Sequence, residues 1–166
     1  GYINGAGRYY RGADFQTGAR FLSDNAGDFF LNLSIAYVDD ERRSDTPGDP
    51  YVTIMEQERR LRSRSYLSFS WTKNDWAAGV STSRIGSMNF QSPRWDGKPN
   101  TKIDPYYDIG AFVRYDIEDG HYIALSVSNL MDDIPKKNSD LGWPWFATYY
   151  YSPVGRELFL TYRYTF

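Results

Sequence analysis

Apolar and polar side chains alternate residue by residue along seven stretches of this sequence. A β-strand turns successive side chains to opposite faces of its sheet, so this period of two predicts strands with one apolar and one polar face. A weaker stretch runs from Tyr9 to Leu22, and the clear ones lie near 31–37, 66–71, 76–81, 106–115, 121–130 and 157–166. The sequence therefore predicts an all-β protein with about seven antiparallel strands.

The connections between these predicted strands alternate between short and long. The short ones, near 23–28, 73–75 and 116–120, are rich in the turn formers Asn, Asp and Gly. The long ones span about 39–61, 86–104 and 132–154. All long loops then lie at one end of the sheet. Outer-membrane β-barrels have this arrangement, with short periplasmic turns and long extracellular loops.

The two predicted faces also suit a barrel in a membrane. The apolar faces end in Tyr or Trp, as in an aromatic girdle, whereas the opposite faces carry Ser, Gly, Asn, Asp and Arg, as in a wet lumen. The chain is thus predicted to form an antiparallel transmembrane β-barrel. A soluble antiparallel β-sandwich would give the same period of two, but it leaves the alternating loop lengths unexplained.

Composition excludes several other classes of function. With 19 Lys+Arg against 21 Asp+Glu, the net charge of −2 gives no general attraction to nucleic acid. The absence of Cys excludes disulfides, thiolate zinc sites and cysteine nucleophiles. His121 is the one histidine, and no catalytic triad is legible around it. No apolar run is long enough for a transmembrane helix. We expect no enzyme, no cofactor and no metal site.

Seven strands do not complete a membrane barrel, because bacterial single-chain barrels have even strand numbers and an open edge in hydrocarbon is costly. Two solutions are open. Either residues 1–8 supply an eighth strand of a small barrel, or the chain is one sector of a larger barrel whose other strands lie elsewhere.

Three segments carry a resemblance to a known family. An N-L-x-D segment occupies 129–132, a final strand begins with Gly155 and Arg156 and ends in Phe166, and an R-G-x-D segment occupies 11–14. Together they resemble the C-terminal β-barrel portion of a TonB-dependent outer-membrane receptor. The residues at 133–135, Asp-Ile-Pro, depart from the basic residue and Tyr that are more usual there, so the ligand class stays open.

The resemblance implies a barrel of about 22 strands in the outer membrane of a Gram-negative bacterium, filled by a plug domain that this chain lacks. It implies energy-coupled import of a scarce ligand of the siderophore, saccharide or peptide class. The expected partners are the remaining strands and plug, TonB acting through the plug, the barrel-assembly machinery, lipopolysaccharide and outer-membrane lipid. Arg59 and Arg60 are candidate contacts for lipopolysaccharide.

Three groups of residues are the candidate sites. Aromatic loop side chains can stack on a ligand with little loss of entropy, or can simply pack on one another: Trp95, Trp143, Trp145, Phe146 and Tyr149. Five charged residues are predicted to lie on the inward faces, because a charge facing lipid costs about 2–4 kcal/mol. On these faces they can pair with a plug or contact a solute, and they are Arg62, Arg64, Asp108, Arg114 and Arg163. The terminal aromatics are a predicted assembly signal, or girdle residues only: Tyr162, Tyr164 and Phe166.

Two other functions remain open at this point. A stand-alone eight-stranded barrel would act as an enzyme or in adhesion, although the glycines among residues 1–8 make a poor strand. A sector of a passive porin would need no plug, and its charged lumen would tune permeation.

Overall fold

The computed structural model describes residues 7–55, 60–90, 101–118, 120–135, 137, 145 and 150–165. Within these ranges no helix is long and apolar enough to cross a membrane. The regular structure consists of ten strands, which are β1 (Arg8–Phe21), β2 (Asp28–Arg43), β3 (Val52–Thr53), β4 (Ser63–Lys73), β5 (Trp76–Ile85), β6 (Met88–Phe90), β7 (Thr101–Ile103), β8 (Tyr106–Glu118), β9 (His121–Ser128) and β10 (Glu157–Arg163).

Seven long strands form one antiparallel sheet in the order β1-β2-β4-β5-β8-β9-β10. Every long strand pairs with the long strand next to it in sequence, while β3 pairs with the end of β2 and β6 pairs with β7. The prediction of an all-β fold with seven antiparallel strands is therefore confirmed. Within the described residues β1 and β10 are the two edges and do not pair with each other, so the sheet is open.

The short turns have the backbone geometry that their sequences require. Gly27 and Gly120 have φ angles of 91° and 85°, and Asn74 has a φ of 51°. At Gly27 a Cβ would lie 2.5 Å from the carbonyl oxygen of Thr72, so the turn there requires glycine. The turn also packs on β4, since the indole Nε1 of Trp71 donates a hydrogen bond of 2.7 Å to the carbonyl of Ala26.

The long connections contain more strand than the sequence indicates. Strand β2 continues to Arg43, beyond the predicted loop start at 39, and β3 folds back on it. A β-bulge permits the extension, because Arg11 pairs with Asp40 whereas Gly12 pairs with Val38, which leaves Asp39 as the extra residue. Between β5 and β8, the short strands β6 and β7 form a hairpin.

Buried apolar side chains are few, and they lie at the long-loop end rather than on either face of the sheet. Among the described residues they are Ile54, Met55, Met88 and Tyr151. Met88 and Tyr151 form a loop cluster on which Ile85 and Tyr106 pack, and the rings of Tyr106 and Tyr151 meet edge to face at 5.2 Å. Within the described ranges, the long strands thus have no protein core against either face.

The loop cluster gives a first testable prediction. The hydroxyl of Tyr151 is buried and has no hydrogen-bond partner among the residues that the structure describes. Tyr151→Phe should therefore be neutral or stabilise the loop by up to about 1 kcal/mol, whereas Tyr151→Ala should destabilise it by about 3 kcal/mol through the cavity that it leaves. Resistance of the loops to protease in the full-length protein measures both changes. Equal losses in the two variants would contradict the packing role.

The same tyrosine gives the loop a pH dependence. Burial raises the pKa of Tyr151 above its ordinary value, and the neighbouring Tyr150 and Tyr106 raise that pKa further. Because the folded-state pKa exceeds the unfolded one, the stabilisation is fully present below about pH 10 and is lost as the pH rises through the folded value. Protease resistance should fall at alkaline pH in the wild type and fall less in Tyr151→Phe.

Candidate functional site: the two faces and two ends of the sheet

One face of the sheet is apolar across its whole width. Its residues follow from the strand register, which places one side chain from each long strand in a continuous row. The first apolar row consists of Ala19, Leu31, Phe69, Val80, Ala111, Val127 and Leu158. The second apolar row consists of Phe21, Phe29, Trp71, Ala78, Val113, Leu125 and Leu160.

Most of the large side chains in the two rows are exposed, while Phe29, Trp71 and Val127 are partly buried. Val80 in the central strand β5 is 44% exposed, Leu125 is 48% exposed and Leu160 on the edge strand is 73% exposed. A soluble monomer rarely exposes a contiguous apolar patch of more than a few hundred Å². This face therefore requires an apolar environment that the described part of the chain does not provide.

Aromatic side chains border the apolar rows at the short-turn end. Trp76 and Tyr115 pack with ring centroids 4.8 Å apart. The predicted assembly residues lie nearby, because the Tyr162 hydroxyl is 3.3 Å from Nδ1 of His121, and the Tyr164 ring meets the His121 ring edge to face at 4.1 Å. Tyr162 and Tyr164 are thus parts of one ring cluster. Phe166 lies outside the described residues.

The opposite face of the sheet is polar, and its middle is built from small side chains. Ser68 pairs with Ser81, which in turn pairs with Gly110, and Asn32 and Gly18 continue this row to the first strand. Six serines line one shallow trough on this face together with Tyr66, Asp108 and Phe112, and they are Ser68, Ser70, Ser81, Ser83, Ser126 and Ser128. The trough presents hydroxyls and leaves clearance for water or another molecule.

The predicted inward charges fall into two separate groups on this polar face. Arg64 and Asp108 lie towards the long-loop end, where Arg64 is 5.7 Å from the Tyr150 ring and Asp108 accepts a hydrogen bond of 3.1 Å from the backbone N–H of Asn129. Arg62 precedes β4, and its carbonyl accepts a hydrogen bond from the backbone N–H of Val38. No single charged site therefore contains all five residues.

The second group lies at the short-turn end. The guanidinium of Arg114 forms an ion pair of 2.6 Å with Asp116 and lies 4.5 Å from the Tyr122 ring. Arg163 pairs with Tyr122 in the sheet and lines the same concavity as Arg114. The charge of Arg114 is thus neutralised within the chain.

The predicted loop aromatics are mostly beyond the described ranges. Trp145 is 45% exposed and has a left-handed φ of 70°. Trp95, Trp143, Phe146 and Tyr149 lie outside the described residues, as does Arg59. Arg60 lies with its Nη1 3.5 Å from the Glu41 carboxylate. No group of three potential metal-ligating side chains occurs in the part of the chain that the structure describes.

The N-L-x-D segment holds the base of the long loop between β9 and β10. Asn129 is 5% exposed and has a left-handed φ of 48°. Its Nδ2 donates hydrogen bonds to the carbonyls of Asp133 at 2.8 Å and Val154 at 3.3 Å, and its Oδ1 accepts one from the backbone N–H of Asp133 at 2.9 Å. One side chain thus joins the departing and returning ends of the loop.

Asp132 makes a parallel connection at the same place. Its Oδ1 accepts a hydrogen bond of 2.8 Å from the backbone N–H of Arg156, at the start of the last strand. The same oxygen lies 2.6 Å from where a Cβ on Gly155 would be, so glycine permits this approach. In the sequence these residues stand out only through a resemblance, and their structural role appears only in the fold.

No family model, curated protein or solved structure matches this chain.

Proposed function

We propose that this chain is a sector of the wall of a transmembrane β-barrel in the bacterial outer membrane. The observation that carries the proposal is the pair of apolar rows, which cross all seven long strands and whose large side chains are mostly exposed. In this proposal lipid covers that face, and the serine-rich face lines the lumen.

The energetics support lipid as the solvent for the apolar face. Removing a Val, Leu or Phe side chain from water contributes about 1.5–3 kcal/mol, and this sheet has many such side chains without a protein core to receive them. Lipid contact provides that transfer free energy. The two unpaired edges, β1 and β10, then require further strands, because unsatisfied backbone groups in hydrocarbon cost several kcal/mol each.

We further propose that the barrel is a TonB-dependent receptor that imports a scarce ligand, of the siderophore, saccharide or peptide class, by energy-coupled transport. This finer assignment rests on the segments at 129–132, 155–166 and 11–14. This chain contributes wall, loops and an assembly signal, and no catalysis. Its partners are the remaining strands, a plug that couples to TonB, the barrel-assembly machinery and outer-membrane lipid, including lipopolysaccharide.

The polar face suits a wall that contacts a plug. Its middle consists of Ser and Gly, which allow close approach of a folded domain. Arg64 has no carboxylate partner among the described residues, so its charge is available to an acidic group on such a domain. At the short-turn end, Arg114 already forms an ion pair with Asp116, so its charge has less need of an acidic partner on a plug.

One experiment on full-length protein purified from outer membranes tests the proposal. We expect a polypeptide several times heavier than 19.3 kDa, or a second chain in equal amount, and no steady conductance in a planar bilayer because the plug fills the lumen. Graded conductance steps would identify a passive porin instead. A heat-modifiable species of only 19.3 kDa would identify a small barrel, and recovery in the aqueous fraction would overturn the membrane assignment.

A further inference from the structure

Among the arginines on the apolar face, one has no ion pair with a residue that the structure describes. Arg84 continues the alternation of Val80 and Thr82 on β5, and it pairs with Ser65 on one side and Tyr107 on the other. Its position is at the long-loop end of the face. A charged side chain at this place is an exception to the apolar pattern around it, so its contacts are informative.

Among the described residues, the hydrogen bonds of the Arg84 guanidinium are to hydroxyl groups. Its Nε donates a hydrogen bond of 3.2 Å to the Tyr107 hydroxyl, and its Nη1 donates one of 3.0 Å to Oγ of Ser63. The guanidinium carbon also lies 5.9 Å from the centre of the Tyr107 ring. These contacts fix the orientation of the group, but hydroxyls do not neutralise its charge.

Several other arginines at the same end of the sheet have carboxylate partners within the chain. Five described arginines form such ion pairs, which are Arg8 and Arg60 with Glu41, Arg11 with Asp39, Arg42 with Asp40, and Arg43 with Asp45. Arg84 forms no ion pair with any residue in the described ranges. No carboxylate of the described residues therefore neutralises its positive charge.

The space beside Arg84 is bounded by small polar side chains and then by hydrocarbon. Ser63 and Ser65 precede Leu67 on the same face of β4, and towards the middle of the sheet Leu67 pairs with Thr82. A molecule placed here would meet guanidinium and hydroxyl groups at the long-loop end and apolar side chains below. This arrangement is complementary to an amphiphile, whose anionic head would meet the guanidinium and whose hydrocarbon would meet the apolar side chains.

We propose that Arg84, with Ser63 and Tyr107, binds the phosphate of an anionic lipid headgroup whose acyl chains lie on the apolar face. This inference rests on the proposed function, because it requires that lipid covers the face. Arg has five N–H donors in a planar fork, so donors remain for a phosphate after the two bonds to hydroxyls are made. The hydrocarbon surface below Arg84 favours a lipid phosphate over a free phosphate ion.

The test uses full-length protein in phosphatidylcholine nanodiscs that contain a minor fraction of spin-labelled lipid. The label is placed on phosphatidylglycerol in one series and on phosphatidylcholine in the other, and the motionally restricted fraction reports lipid at the protein surface. We expect Arg84→Gln to lower the relative association of the anionic lipid roughly fivefold, the effect of one basic residue near a membrane surface. Arg84→Lys, which keeps the charge but loses the fork, should give an intermediate value.

Arg11→Gln is the matched control. Arg11 lies at the same end of the same face by alternation with Ala13 and Phe15, but Asp39 already accepts its hydrogen bond. Its replacement should leave the preference for anionic lipid unchanged. Equal losses in Arg11→Gln and Arg84→Gln would reduce the effect to general surface charge and overturn the site.

Two further outcomes distinguish a failure of the lipid site at Arg84 from a failure of the proposed membrane location. If wild-type protein restricts phosphatidylcholine but Arg84→Gln keeps the full preference for phosphatidylglycerol, the headgroup site is wrong and the membrane assignment stands. If no lipid of either kind is restricted, the membrane assignment itself is wrong. Displacement of the labelled lipid by inorganic phosphate would show a free-anion site instead of a lipid site.

Discussion

Arginine in place of Val80 is expected to destabilise the membrane-inserted protein by about 2–4 kcal/mol, the cost of an arginine facing lipid at the bilayer midplane. Val80 lies near the middle of β5 in the first apolar row. Arginine in place of the next residue, Ser81, should change stability by only about 0.5 kcal/mol, because that side chain points into the hydroxyl-lined trough. Unfolding of the full-length protein in lipid vesicles by the denaturant guanidinium chloride measures both changes in stability.

The pair is informative because the two residues are adjacent in sequence and at almost the same depth. A nonspecific effect of positive charge on this strand would appear in both variants. In water, Val80→Arg would be nearly neutral, since Val80 is already 44% exposed. A small effect at both positions would therefore reject lipid contact, and a larger effect at Ser81 would reverse the assignment of the faces.

Aspartate in place of Asn129 is expected to release the loop between β9 and β10 and to lower the stability of its base by about 2–4 kcal/mol. The variant keeps an oxygen that accepts from the N–H of Asp133, but it removes the donor for the carbonyls of Asp133 and Val154. Unpaired buried acceptors cost about 1–3 kcal/mol each. Hydrogen exchange and protease cleavage at the base of the loop measure the loss.

The opposite exchange at Asp132 is the control. Asp132→Asn retains an amide oxygen that can accept from the N–H of Arg156, and Asn tolerates the left-handed φ of 56° at this position. It should cost less than about 1 kcal/mol, since one hydrogen bond is weakened but none is lost. If Asp132→Asn loosened the loop as much as Asn129→Asp, charge rather than the hydrogen-bond pattern would hold it.

The strands and their faces could be predicted from sequence because a local period of two encodes them. Leu67, Phe69 and Trp71 alternate with serines, and the structure places each set on one face. The short turns are similarly local, since Gly27 and Gly120 adopt the positive φ angles for which glycine is suited. Strand pairing then follows, because neighbouring strands joined by short turns pair as hairpins.

The features that escaped prediction depend on residues far apart in the chain. Asn129 meets Val154 only when β9 and β10 pair, so nothing near Asn129 in sequence shows its role. Arg84 is a departure from alternation at the end of a strand, and its contacts with Ser63 and Tyr107 rather than with a described carboxylate emerge only from the fold. The bulge at Asp39 adds one residue to β2 without a local signal such as glycine at that position.

The order of the long strands in the sheet is also their order in the chain, with no crossover among them. Duplication of any one hairpin would therefore lengthen the sheet by two strands without rethreading the rest of the chain. The number of strands can therefore change when the gene segment for one hairpin is duplicated, while every existing pair of strands keeps its register. A meander of this kind can widen over evolutionary time in steps of two, the parity that a closed antiparallel sheet requires.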